Sequence, residues 1–359
     1  MVQKKYKYSE ISNKIKQDLI NGKYKVGSMI PSDNELSKLY SVSNNTAREA
    51  VAVLVNENLV ERVRGKGTFV KEVAKKRKTI CLVIPKVSGD PKQSENDYDV
   101  SHKYIVSIEN EARNEGIDLI LSIYYNDINL EAECIKNAIA RNVDGIISFF
   151  SCTKENHYLF DEIEKAGIPY VLLDTYHSEM RGVKIGTKCF EASAQVVDYF
   201  VSKGFKNIFY INSDYETWNP ITPRLEGYKN GCKKNNIYHN VIYPIETVSY
   251  KGTNWQNIGY EIAKHIIEST KPPFAIFSVA PAFAVGAYQA IEEAEINKED
   301  IAIACYDHPY SKIPKEVHSV YIIQHISQMS KLAIEHIIKE DKENKEILVS
   351  PDILITDNY

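Results

Sequence analysis

From residue 79 onward, short apolar runs rich in β-branched residues alternate with amphipathic stretches, and this alternation constrains the fold more than any other feature of the chain. "TICLVIP" (79–85), "DLILSIYY" (118–125), "GIISFF" (145–150) and "PYVLLDT" (169–175) read as strands. Stretches such as "YIVSIENEARNEG" between them read as helices that stop at glycine. The pattern restarts with "FEASAQVVDYFVSKGFKNIFYINS", continues through "FAIFSVA" and "IAIACYD", and returns at "SVYIIQH". Alternation of this kind produces an α/β architecture, parallel sheets with helices on both faces. About 280 residues exceed one such core, so two similar lobes are expected.

The first 70 residues obey a different rule. Ile11, Ile15 and Leu19 form an apolar stripe on a helix ending near Gly22. In "IPSDNELSKLY", Ser32 and Glu35 form a capping box, and Leu36 and Leu39 are expected to face inward. A four-residue break leads to "SVSNNTAREAVAVLVNENL", where Ser43 is the N-cap and Ala47, Ala50, Val51 and Leu54 make the buried stripe. Asn44, Asn45 and Arg48 project outward together from the first turn and a half of that helix.

"ERVRGKGTFV" (61–70) resembles a phosphate-cradling loop, but a P-loop needs a glycine where Val60 stands and a helix after Thr68. The stretch reads instead as a hairpin with Gly65 and Gly67 at its tip. Arg62, Arg64 and Lys66 recur with period two, which would set them on one cationic strand face opposite Val63. Helix, helix, helix and a basic hairpin make a winged helix. Asn44, Asn45 and Arg48 can then address base edges, while Ser32, Ser43, Thr46, Thr68 and the wing residues Arg64, Gly65, Lys66 and Gly67 address phosphates. The alternative for the helix alone is a solvated polar face.

Charge supports this division. Residues 1–78 hold 17 Lys and Arg against 8 Asp and Glu, a net +9, while the remainder hold 27 against 40, a net −13. The basic segment could seek a polyanion and the rest does not. No apolar run reaches the 18 residues of a membrane span, and "MVQKKYKYSEISNKIKQ" lacks the apolar core of a signal peptide, so a cytoplasmic location is expected. Cys81, Cys134, Cys152, Cys189, Cys232 and Cys305 are scattered, which suits reduced core thiols and indicates neither a metal site nor a disulfide frame. Neither H-E-x-x-H nor G-x-S-x-G occurs, and no cofactor motif is present. A DNA-tethered enzyme acting on a metabolite is the alternative reading, and it would need such a motif.

The N-terminal pattern resembles the GntR family of bacterial regulators. The resemblance rests on Ile30-Pro31-Ser32, Glu35-Leu36, Val42-Ser43, Thr46-Ala47-Arg48-Glu49-Ala50, Leu54 and Gly65-Lys66-Gly67-Thr68-Phe69-Val70, in order and at family spacing over residues 8–70. Asn44 stands where that family often has arginine, and Asn58 where glycine usually precedes the wing. The resemblance implies operator DNA as a partner and a DNA-binding domain over 1–71, followed by a basic linker over 72–78.

Ligands of parallel sheets bind at strand C-terminal ends. Asp174 ends "VLLD", Asp307 ends "ACYD" and Gln324 ends "YIIQ", although each residue alone also suits a cap or a solvated loop. Arg224 opens a helix in "TPRLEGY", an unfavourable end for a cation, which hints at a purpose. Residues 79–359 resemble the effector domain of lac-repressor-type regulators, itself similar to periplasmic sugar-binding proteins, through "RLEGYKNG", "VDGIIS" and "INKEDIAIACYD".

The resemblance implies Asp174, Arg224, Asp307 and Gln324 as effector ligands, and an aromatic stacker from Tyr250 or Trp255. It also implies a first lobe of about 79–186 plus 325–345 and a second of about 187–323 plus 349–359. Ala280-Pro281 stands where the family usually has Asn-Asp. The two modules together are similar to arabinose-responsive repressors, which implies a homodimer released from DNA by a sugar.

Overall fold

The computed structural model describes residues 2–20, 22–71, 77–85, 100–125, 127–150, 154–177, 179–213, 220–244, 255–308 and 313–356. The chain divides into two units, Met1–Arg77 and Lys78–Tyr359. In the first, α1 (Val2–Ile20), α2 (Asp33–Leu39) and α3 (Asn44–Asn56) precede a hairpin of β1 (Val60–Val63) and β2 (Gly67–Val70). Ile11, Ile15 and Leu19 are buried against Leu36, Ala47, Ala50, Val51 and Leu54. Ser32 caps α2 through the full reciprocal box with Glu35, and Ser43 caps α3. Leu39 does not face inward as its spacing suggested; it is 64% exposed, because α2 spans only seven residues and ends there.

The wing is tied to the helices by backbone. Gly27 N–H donates to the Val70 carbonyl at 2.9 Å, Val70 N–H to Ser28 at 2.9 Å and Ile30 N–H to Thr68 at 3.0 Å, so residues 27–30 flank β2 as a third strand-like segment. β1 ends at Val63, which puts Arg64 and Lys66 on the turn and not on the alternating strand face that their period suggested. Gly65 adopts φ +75° at that turn, a conformation open to glycine. Asn58 adopts φ +60° just before the wing, a left-handed position that asparagine tolerates better than most residues.

The second unit holds two six-stranded sheets. The chain first lays down β3 (Thr79–Ile84), α4 (Val100–Asn114), β4 (Asp118–Ile123), α5 (Ile128–Ala140), β5 (Gly145–Ser148), α6 (Tyr158–Lys165), β6 (Tyr170–Leu173) and β7 (Val183–Thr187). It continues with α7 (Cys189–Ser202), β8 (Ile208–Ile211), α8 (Ile221–Lys234), β9 (Asn240–Ile242), α9 (Trp255–Ser269), β10 (Phe274–Ser278), α10 (Pro281–Glu293), β11 (Ile301–Tyr306) and β12 (His318–Ile323). α11 (Ile326–Ile338), β13 (Lys345–Val349) and β14 (Asp352–Thr356) complete it.

One sheet runs β4-β3-β5-β6-β7-β13, with every pair parallel. The other runs β9-β8-β10-β11-β12-β14 and is parallel apart from β14. The strands of both lobes therefore follow one spatial order, which makes β6 the counterpart of β11, and β7 of β12. Two lobes with one winding expose their strand C-terminal ends as two matched edges.

The backbone passes between the sheets three times, near 187–189, 323–326 and 349–352. The passages are cross-linked. Thr187 Oγ1 donates to Gln324 Oε1 at 2.9 Å, Lys188 N–H to the Val349 carbonyl at 2.9 Å, and His325 Nε2 meets Asp352 Oδ1 at 3.2 Å.

In the second lobe α7 packs tightly on α8 because α8 carries Gly227, where a Cβ would lie 2.1 Å from the Phe190 carbonyl oxygen. Gly227→Ala should force the helices apart and destabilise the unit by about 1–3 kcal/mol. The measurement is the midpoint of urea or thermal unfolding of the full chain; an unchanged midpoint would contradict this packing.

Candidate functional site

Two sites emerge, one in each unit. On the winged helix, Asn44, Asn45 and Arg48 are exposed on the first turns of α3. Asp33, at the start of α2, joins this face to the wing: Oδ2 accepts from Arg48 Nε at 3.4 Å and Oδ1 from Arg62 Nη2 at 2.7 Å. Beside it, Asn44 Nδ2 donates to Asn34 Oδ1 at 2.6 Å. The Arg48 bond uses Nε and leaves its two terminal nitrogens outside that contact. Arg64, Gly65, Lys66 and Gly67 are exposed at the wing tip, and Ser32 and Ser43 are exposed at their caps. Thr46 and Thr68 are buried, and the Thr46 hydroxyl bonds that of Ser43 at 2.8 Å. Both threonines serve the scaffold in this structure.

At the matched strand ends of the second unit, Asp174 follows β6 and Asp307 follows its counterpart β11. Both adopt left-handed backbone, φ +63° and +61°, and both donate N–H to the next strand, Asp174 to Ile185 at 2.8 Å and Asp307 to Ile322 at 2.9 Å. Such conformations cost energy for a non-glycine residue and cluster at functional sites. Arg224, in the first turns of α8, is buried. Its Nη1 donates to the Val279 carbonyl at 2.8 Å, and its guanidinium lies 3.8 Å from the Tyr306 ring centroid. Tyr306 is itself anchored by hydrogen bonds with Ser193 at 2.7 Å and the Cys189 carbonyl at 2.9 Å. Gln324 Nε2 donates to Asp307 Oδ2 at 3.1 Å while its Oε1 accepts from Thr187, so one amide joins a strand-end carboxylate to the crossovers.

Burial pushes the Asp174 carboxyl up to about 6; Arg224 and a hydrogen bond from Tyr104 oppose the rise, and Asp307 adds to it. Burial raises Asp307 as well, against Arg224 and Gln324. Burial disfavours the Arg224 charge, but Cys189, Tyr306, Asp174 and Asp307 more than offset it and hold the guanidinium above its ordinary value. One cation thus balances carboxylates from two lobes.

The structure brings together four of the residues singled out from the sequence: Asp174, Arg224, Asp307 and Gln324. Trp255 starts α9, half-buried, with its ring edge-on to Phe283 at 5.1 Å. Tyr250 lies outside the described residues, as does Cys152; the other five cysteines are free thiols. Sequence reading missed Asp33, the Tyr306 shelf under Arg224, and Asn212, which ends β8 in "FYIN" by the same strand-end rule that found the carboxylates. A cavity of about 310 Å³ beside Glu164, Tyr170, Gly182 and Asp341 sits at the opposite, N-terminal margin of the first sheet and belongs to neither site. Among the described residues no group of three or more His, Cys, Asp or Glu converges as a metal would require, and no helix is long and apolar enough to cross a membrane.

A two-lobed parallel-sheet unit with charged groups meeting at its strand ends, preceded by a winged helix, places a ligand-binding unit and a DNA-reading one in a single chain. The chain belongs to the periplasmic binding protein domain family, whose model matches residues 90–309. Its N-terminal part is a helix-turn-helix domain of the bacterial regulatory proteins of the gntR family, matched over residues 7–70.

Among its relatives is the arabinose metabolism transcriptional repressor of Halalkalibacterium halodurans, 24% identical over 97% of this chain and 95% of that one. Among solved structures, the lac repressor dimer bound to operator and the anti-inducer ONPF is similar with a TM-score of 0.64, at 14% identity over 79% of this chain and 94% of that one. The periplasmic binding protein of the arabinose ABC transporter from Shewanella sp. ANA-3, solved with L-arabinofuranose, gives 0.63 at 18% identity, covering 77% and 92%.

The raised Asp174 carboxyl carries a stability consequence. Its folded pKa of about 6 exceeds the ordinary 3.8, so the folded state binds the proton more tightly, and stability falls as pH rises from about 4 to about 6. Asp174→Asn removes this loss. The variant should match wild type near pH 4 and exceed it above pH 7 by about 1–3 kcal/mol in urea unfolding. A variant less stable than wild type by the same amount at both pH values would contradict the assignment.

Proposed function

We propose that the chain is a sequence-specific DNA-binding transcription regulator, a repressor released from its operator by a small uncharged sugar. Residues 1–71 read DNA, 72–78 link, and 79–359 bind the effector. The observation that carries the reading is the buried Arg224, facing carboxylates from both lobes in a chain that also presents an exposed Asn-Asn-Arg helix face and a basic wing. A guanidinium and two carboxylates supply charged donors and acceptors for vicinal hydroxyls. The positive charge is already answered by Asp174 and Asp307, so a phosphate or carboxylate on the ligand would meet net negative charge, and a neutral polyol suits the site better.

The repressor names of the full-length relatives agree with this reading. A single winged helix buries little surface on DNA, so the regulator acts as a homodimer on two half-sites, in the cytoplasm with its operator. The alternative, a DNA-tethered enzyme, would need an activated nucleophile. Burial raises the Cys189 and Cys305 thiols beside the cluster, which disfavours the reactive thiolate.

Variant binding tests the reading. Arg48→Ala should weaken the cognate site by about 1–3 kcal/mol and relax its specificity, whereas Lys66→Ala should weaken cognate and random DNA about equally and reduce the salt slope by about one. Arg224→Ala should keep operator affinity yet lose about 10- to 150-fold in sugar affinity, and so behave as an uninducible repressor. Wild-type operator binding by Arg48→Ala, or intact sugar response in Arg224→Ala, would remove that residue from its site.

A further inference from the structure

The end of β8 carries buried polar atoms that nothing in the preceding site uses. Asn212 is fully buried, and its N–H continues the sheet by donating to the Ile242 carbonyl at 2.9 Å. Its carboxamide is different: neither Nδ2 nor Oδ1 has a hydrogen-bond partner among the described residues. The same is true of the Ser213 hydroxyl, the Tyr210 hydroxyl and Arg224 Nε. Buried polar side chains are overwhelmingly hydrogen-bonded, so four unanswered groups in one place call for an explanation.

Geometry puts them in one place. Tyr210 and Asn212 are two residues apart and share a face of β8. On that face Tyr210 stacks on Tyr228 of α8, with centroids 4.7 Å apart and planes at 20°. α8 runs back along the sheet from its C-terminal edge, and Arg224 lies one turn before Tyr228. One pleat repeat beyond Tyr210 therefore comes level with one helical turn before Tyr228, which sets Asn212 opposite Arg224. The backbone agrees: Val279 N–H donates to Ile211 at 3.1 Å, and the Val279 carbonyl accepts from Arg224 Nη1 at 2.8 Å. Asn212 and Arg224 flank the same strand end.

We propose that the Asn212 carboxamide is a direct effector contact and sets specificity beside Arg224, with Ser213 adding a hydroxyl. The assignment rests on the reading of this cluster as a sugar site. An amide offers one donor face and one acceptor atom, so it pairs with an alcohol that accepts at its oxygen and donates its own proton. Arg224 Nε offers a second, donor-only contact to the neighbouring oxygen. The combination recognises two adjacent hydroxyls of an uncharged polyol and discriminates against a sugar that lacks one of them.

Asn212→Leu keeps the volume and removes both polar atoms. Calorimetric titration of the full-length protein with L-arabinose, D-xylose, D-ribose, D-galactose and D-glucose identifies which sugar wild type binds. Asn212→Leu should bind that sugar about 10- to 100-fold more weakly. It should bind the singly deoxygenated analogue lacking the contacted hydroxyl as wild type does. Its ligand-free melting temperature should equal or exceed that of wild type, because two unanswered polar atoms are gone. Unchanged affinity for the sugar, in a variant that melts normally, overturns the assignment and leaves the sugar reading standing. A variant that melts well below wild type overturns it too, since the amide would then be holding the fold. If wild type binds none of the five sugars, the reading beneath the assignment falls and the assignment falls with it.

Discussion

A guanidinium that has lost its water needs negative charge near it, and Arg224 finds it on both sides of the lobe boundary. Deleting the cation of such a buried arrangement is costly, because it leaves buried carboxylates unanswered. On the proposed reading, the cluster admits a molecule that takes over hydrogen bonds from the charges without leaving any of them unanswered. The Tyr306 shelf, its anchors at Ser193 and Cys189, and the Val279 carbonyl all hold the guanidinium in one orientation. Preorganisation of this kind lets hydrogen bonds discriminate between sugars that differ by one hydroxyl.

The attraction between Asp174 and Arg224 crosses from one lobe to the other, and the crossovers hear of it. Gln324 holds Asp307 with one end of its amide and Thr187 with the other. His325 meets Asp352, and Lys188 meets Val349, so the three passages of the chain form one linked bundle at the lobe boundary. A ligand that redistributes the bonds around Asp307 acts on that bundle directly. The link from the strand-end cluster to the crossovers is a single side chain, Gln324.

Much of this was legible in the sequence. Apolar β-branched runs marked β3, β5, β6, β10, β11 and β12, because strands buried on both faces read as continuous hydrophobic stretches; β4 carries a similar run although it is a part-exposed edge strand. β7 escaped notice: "VKIGT" has a lysine at its heart, whose stem is buried while Nζ donates to Asn344 Oδ1 at 2.8 Å. The edge strands β13 and β14 are short and largely exposed, so no long apolar run marks them. Strand-end polarity singled out Asp174, Asp307 and Gln324, and the same rule fits Asn212, but an asparagine after a strand is equally a turn residue until burial is known. The Asp33 contacts with Arg48 and Arg62 join elements 15 and 29 residues apart, which no local pattern encodes, and the exposure of Leu39 follows from where α2 stops.

The central claim is that the DNA site and the effector site share one free energy. Coupling between sites is reciprocal: a sugar that weakens operator binding by about 100-fold, near 2.7 kcal/mol, must itself be weakened by the operator to the same extent. Isothermal titration of the sugar into the full-length protein, free and saturated with operator, measures this directly. The account predicts affinities that differ by that factor, with operator-bound protein the weaker binder. Equal affinities would contradict it and make the sugar a bystander.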